Sequence, residues 1–383
     1  MHYEPAPRPV HRSGFRRAAI LPCRGGWSGL FLVCLVPIAV PGCAPGETAP
    51  GSPPPAATRD ADTLCRAIDA ELARGRATRR LDAAVNGAWQ VVHGILAYGD
   101  ELLLAHDGAV TPAIDHVLAG RALRGWALRP GEVGPRGLVE AGSITGQGHP
   151  DQWLGYLAQA GSGGFPATTP IVVAGRSFTL ADMLAQARSD IRPGQEATWT
   201  LMALAAWSPP DAAWTAGDGS RWSVERVVAM EAEADLLSAA CGGMHRLYAL
   251  AAALDSHRAA TGVGDDALRG GWALARDRLD EALEVIRTYQ QPDGSFSVHD
   301  LARPGRSADV TATLSATGHA FEVVARALAP ERLTDEWVVR AAERLVGLLG
   351  ETADLDLECG ALYHALHGLR VWRDRVCGAV AKG

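Results

Sequence analysis

The chain has 383 residues, 48% hydrophobic and 21% charged, so it can bury a sizeable core and is not a disordered polymer. Its formal charge is −7 and no arginine block forms a patch, which excludes a protein that grips a nucleic-acid backbone. Lys382 is the only lysine, and 11 tryptophans supply about half of a sparse aromatic content.

Residues 1–42 read as an export signal. Arg8, Arg12, Arg16, Arg17 and Arg24 precede an apolar run over 27–40. That run is too short for a membrane-spanning helix, which needs roughly 20 residues. It leads into Val40-Pro41-Gly42-Cys43, which resembles the bacterial lipobox. The resemblance implies lipidation of Cys43 and attachment to a membrane on the exported side. Residues 43–60 are rich in Pro, Gly and Ala and are expected to form a disordered tether. An exported chain tolerates disulfides, and Cys65, Cys241, Cys359 and Cys377 allow three ways of forming two bridges.

Residues 61–377 read as one all-α domain. Segments 64–72, 81–96, 178–187, 223–237, 279–288 and 336–349 place apolar residues three and four apart. Only 170–174 reads as a strand. Six stretches share a plan: small residues, then Trp or His, then an Ala/Leu-rich run. The marked residues are Trp89, His149, Trp199, His245, His319 and His364, spaced 45 to 74 positions apart. More polar, amphipathic helices separate them. Small-residue helices inside and polar-faced helices outside predict an (α/α)6 toroid, with an open superhelical solenoid as the alternative.

Gln290-Gln291-Pro292-Asp293-Gly294-Ser295-Phe296 resembles the QxxDGSW/F motif of squalene and hopene cyclases, which implies a terpenoid-cyclase/prenyltransferase-like α/α toroid. Stretches 146–159, 196–205, 241–251, 290–297 and 314–324 together resemble a family of exported bacterial proteins. Some members are described as ADP-ribosylation-factor GTPase activators. That activity needs a C-x2-C…C-x2-C zinc frame, which this chain lacks. The D-x-D-D acid of the cyclases is also absent, so proton-initiated cyclisation is not expected. Lanthionine cyclases and protein prenyltransferases are similar in fold and hold zinc through Cys and His. The Trp-Cys-Tyr-Gly and Cys-His-Gly motifs of the former are missing, and Asp356, Cys359 and His364 do not reproduce the spacing of the latter.

Parallel inner helices would bring their N-termini to one mouth, each with about half a positive charge. The repeat-start residues should ring that mouth; the competing reading is that they stack as an inert plug. Pro150 fits the first position of a helix and Asp151 its first turn. The catalytic candidates are His149, Glu196, His245, His319 and His364. Gln152, Trp153, Trp199, Arg246, Tyr248 and Tyr363 are the substrate-binding candidates. Cys241 and His245, four apart on one helical face, join Cys359 in a set that zinc accepts. No other cofactor is implied: there is no phosphate loop, and no G-x-S-x-G elbow appears either. The expectation is a lipid-anchored envelope protein, an enzyme acting on an envelope polymer or a hydrophobic small molecule. The alternative is a non-catalytic ligand-binding or scaffold protein. The expected partners are a membrane, through Cys43, and a small-molecule or polysaccharide ligand.

Overall fold

The computed structural model describes residues 60–139, 148–161 and 163–380. The export signal, Cys43, the tether to residue 59 and the Gly146-Gln147 pair lie outside the described residues. The described chain is largely helical. Six helices carry or directly follow the repeat-start residues: α2 (Ala88–Tyr98), α4 (Gln152–Gln159), α6 (Thr198–Trp207), α8 (Met244–Thr261), α10 (Val310–Ala327) and α12 (Cys359–Val380). Each packs on the next in that order, and α12 returns to α2. Between them run α1 (Ala61–Thr78), α3 (Ala113–Leu118), α5 (Leu180–Asp190), α7 (Val224–Glu233), α9 (Gly270–Thr288) and α11 (Glu336–Glu351). These lie against the first set: α5 on α4 and α6, α7 on α6 and α8, and α11 on α10 and α12.

The division follows from the residue patterns. α6 buries every residue from Thr198 to Leu204, so all its faces are covered. α11 buries Trp337, Val338, Ala341, Ala342, Leu345, Leu348 and Leu349, a stripe on one face. Small residues set the closest crossings. A Cβ on Gly318 would lie 2.9 Å from Ala365 Cα, and one on Gly155 would lie 3.0 Å from Trp199 Cα. Gly318 meets Ala365 and Gly368 meets Glu322, so contacts advance together along α10 and α12 and the two run parallel.

Strands are more frequent than the sequence reading expected. β1 (Leu81–Asp82) pairs with β2 (Leu103–His106), which forms a hairpin with β3 (Ala109–Pro112). Three further hairpins are β4 (Trp126–Pro130) with β5 (Pro135–Val139), β6 (Pro170–Val173) with β7 (Arg176–Thr179), and β8 (Ala213–Thr215) with β9 (Arg221–Ser223). Three of the hairpins lead directly into α3, α5 and α7. Their turns carry a readable signal: Asp107-Gly108 and Ala174-Gly175 all have positive φ, as two-residue hairpin turns require. The expected helix over 81–96 therefore starts only at Ala88, because Leu81 and Asp82 are committed to the sheet. Likewise Phe178 belongs to β7, and α5 starts after Thr179, whose hydroxyl accepts the Asp182 N–H.

Gln290–Phe296 forms the turn after α9. Gln290 Nε2 donates to Trp337 O, Arg340 donates to Gln290 Oε1, and the Phe296 N–H donates to Thr317 Oγ1. The motif thus braces α10 and α11. Cys65 of α1 and Cys377 of α12 form a disulfide, leaving Cys241 and Cys359 as thiols. Among the described residues, no helix is long and apolar enough to cross a membrane.

Candidate functional site

Four imidazoles, from α2, α8, α10 and α12, meet. His319 stacks obliquely on His364 at 4.1 Å between ring centroids, His245 lies 4.8 Å from His364, and His93 lies 5.2 Å from it. Trp199 extends the group at 5.3 Å from His245 and is stacked on His149 at 4.3 Å. Most of the repeat-start residues therefore come together, His319 from more than two turns inside α10. Trp89 stays at the edge, where its indole donates to Glu358, and His93, one turn further, takes its place.

A buried carboxylate organises the cluster. Glu322 Oε2 accepts from His364 Nδ1 at 2.8 Å, and its Oε1 accepts from His367 Nδ1 at 2.6 Å. Burial and the neighbouring imidazoles push His364 well below its ordinary pKa, so it binds Glu322 as a neutral hydrogen-bond donor. Burial likewise drives His245 far down and His93 to about 4. His319 goes the other way. Burial opposes its charge, but the Cys241 sulfur and the Glu322 carboxylate outweigh burial and lift it to about 9. Tyr156 joins the polar chain, its hydroxyl 3.2 Å from His93 Nε2 and 3.4 Å from His364 Nε2, with Gln152 donating to it.

The Cys241 thiol is exposed and sits where three consecutive residues, Cys241, Gly242 and Gly243, have positive φ before α8 begins. For Cys241 that backbone is costly, since side chains disfavour the left-handed region. The ligand atoms of Cys241, His245 and His319 all lie within 4.8 Å of one another, as do those of His245, Glu322 and His364. His319 thus takes the place expected of Cys359. The Cys359 sulfur bonds Glu358 instead, and burial together with that carboxylate pushes its pKa far up.

The other expected residues divide. Glu196 pairs with His149, Oε2 to Nδ1 at 2.7 Å, on the partly buried side of Trp199. Gln152 Oε1 accepts the His149 N–H, and Trp153 packs on Trp126. Beside them is a pocket of about 20 Å³, room for roughly one water. Pro150 is not the first helical residue. Asp151 caps α4 with positive φ and accepts from Thr200, and burial raises its carboxyl to about 6. Arg246 is held by Glu231 at 2.9 Å, which also caps α6 through the Ala197 N–H, so it faces no open site. Tyr363 packs edge-on to Tyr98, away from the imidazoles. Tyr248 lines a cavity at the opposite ends of the helices.

Sequence reading did not place His93, Tyr156 or His367 in the site. The signal was present. His93, Glu322 and His367 each follow a repeat-start residue by three or four positions, one turn further along the same inward face. No family model, curated protein or solved structure matches the chain.

Proposed function

We propose that the chain is an exported, lipid-anchored envelope protein built as an (α/α)6 toroid, with an enzymatic site on the axis near the N-terminal ends of the inner helices. Its substrate would be an envelope polymer or a hydrophobic small molecule. The closed cycle α2–α4–α6–α8–α10–α12 supports the toroid. The Cys65–Cys377 bridge supports an oxidising compartment. The site reading rests on one observation: Cys241, His245 and His319 gather three soft or borderline donors within 4.8 Å.

That set fits zinc. Two of the three donors are buried, and burial keeps His245 neutral with its lone pair available. Zinc bound there supplies Lewis acidity and an acidified water. Glu322 fixes the His364 ring beside the donors, and His319, its Nδ1 held on Ser315 O, would give up its second proton to offer Nε2 to the metal. A second reading, ligand binding without turnover, draws on the pairing of His149 with Glu196 and of Arg246 with Glu231, which leaves fewer free polar groups than the sequence promised.

The test is metal titration of the purified chain after chelator treatment. We expect one equivalent of Zn(II), and a thiolate-to-metal absorption band with Co(II). Cys241→Ser should abolish the band and His245→Ala should prevent tight uptake of either ion. A folded chain that takes up neither ion loses the metal reading. Anchoring is tested separately: Cys43→Ala should move the protein from the membrane to the soluble fraction, and an unchanged distribution would refute lipidation.

A further inference from the structure

A cavity of about 670 Å³ opens where the inner helices end, not where they begin. This is the size of a small-ligand site, which spans roughly 300–1,000 Å³. The later turns of α4, α6, α8, α10 and α12 form its wall, and Phe165, Trp207 and Tyr248 give it aromatic surface.

Its polar groups are unevenly satisfied. Arg375 spends its guanidinium on the carbonyls of Ala325, Arg326 and Leu328 at the end of α10. Arg326 pairs with Asp255 at 3.3 Å. Arg375 is committed and the charge of Arg326 is neutralised by Asp255, and the helix C-termini add partial negative charge that repels an anionic ligand. Three atoms of the lining lack hydrogen-bond partners: Arg326 Nε, which meets Asp255 only as an ion pair, and two acceptors. His367 is fully buried and lines the cavity; its Nδ1 binds Glu322 and its Nε2 has no hydrogen bond. With the proton on Nδ1, Nε2 is an acceptor. Asp374 Oδ2 is the second acceptor without a partner, while its Oδ1 takes Arg373. Leaving such buried groups unpaired is costly, so the site calls for a ligand whose groups both donate to the two acceptors and accept from Arg326 Nε, as hydroxyls do. Two arginines and two aspartates balance the lining charge, which favours a neutral donor over a cation.

We propose that this cavity binds a neutral, hydroxyl-rich ring compound, a sugar of one or two rings. Its hydroxyls donate to His367 Nε2 and Asp374 Oδ2, and its apolar ring face lies on the Trp207–Phe165 wall. The assignment uses none of the Cys241–His245–His319 donors and stands whether or not a metal binds there.

The experiment is saturation-transfer NMR and calorimetry on the purified chain. The probes are glucose, N-acetylglucosamine, cellobiose and chitobiose, with octanol and tetraethylammonium as controls. We expect saturable binding of at least one sugar, weakened roughly tenfold by His367→Leu and by Asp374→Asn, in line with the loss of one buried hydrogen bond. Trp207→Ala should weaken it similarly. His367 is deeply buried, so the half-buried Asp374 and Trp207 variants keep the test decisive if His367→Leu fails to fold. Absence of saturable sugar binding by the folded chain overturns the proposal. So does binding that the folded Asp374 and Trp207 variants leave unchanged, or binding of octanol or tetraethylammonium in place of sugar.

Discussion

His93 shows what burial does to a single ring. Its pKa is about 4 in the folded chain, against the ordinary 6.5 of an unfolded one. The unfolded state therefore takes up protons first as pH falls. This part of the stability is complete above pH 6.5 and is lost progressively towards pH 4, amounting to about 3 kcal/mol. His245 and His364 shift in the same direction. Thermal midpoints should therefore drop steeply between pH 6.5 and 4, and His93→Gln should flatten that limb; a wild-type midpoint flat across this range would contradict neutral burial. His319 has the opposite sign. Lifted to about 9, it contributes stability that is complete below pH 6.5 and is lost as pH rises through 9. Imidazole resonances followed by NMR should show one ring titrating near 9 and several that stay neutral at pH 6. At this scale, the sequence singled out His245, His319 and His364, which the structure brings together. It did not show that Glu322 sits between two rings, because that depends on α10 and α12 packing at one particular register.

Helix crossings give the element scale its sharpest test. Gly318 meets the Ala365 backbone at a distance that admits no side chain, so α10 and α12 must separate to accept one. Gly318→Ala should cost about 1–3 kcal/mol, the range for overpacking a tight interface. It should also loosen the Glu322–His364 bond, visible as a changed His364 resonance. A variant as stable as the parent would show that the two helices can slide. Helices of the body were legible because apolar spacing is a local property. The hairpins before α3, α5 and α7 were not read, although Asp107-Gly108 and Ala174-Gly175 announce two of them. Strands of three or four residues are too short for alternation to stand out against helical neighbours.

The two ends of the described chain meet. α12 packs on both α1 and α2, and the Cys65–Cys377 disulfide spans 312 residues of sequence. Cross-linking so long a loop restricts the unfolded chain strongly. Replacing both cysteines with serine should lower stability by about 2–4 kcal/mol and shift the denaturation midpoint accordingly. An unchanged midpoint would mean that packing of α1 on α12 alone carries the closure.

The sequence by itself determined the largely helical class, the alternation of apolar and amphipathic helices, and the positions at which His and Trp recur. All three follow from residue spacing within a few turns. Tertiary structure alone decided which of those residues meet. It joined Cys241 to His319 and left Cys359 with Glu358. It paired Cys65 with Cys377 out of three open possibilities. It also placed the roomy cavity among the later turns of α4, α6, α8, α10 and α12 and a small pocket beside His149. The physical reason is the same in each case. Partners tens to hundreds of residues apart are set by how far one helix slides along another, and small residues at the crossings fix that register only once the helices are packed.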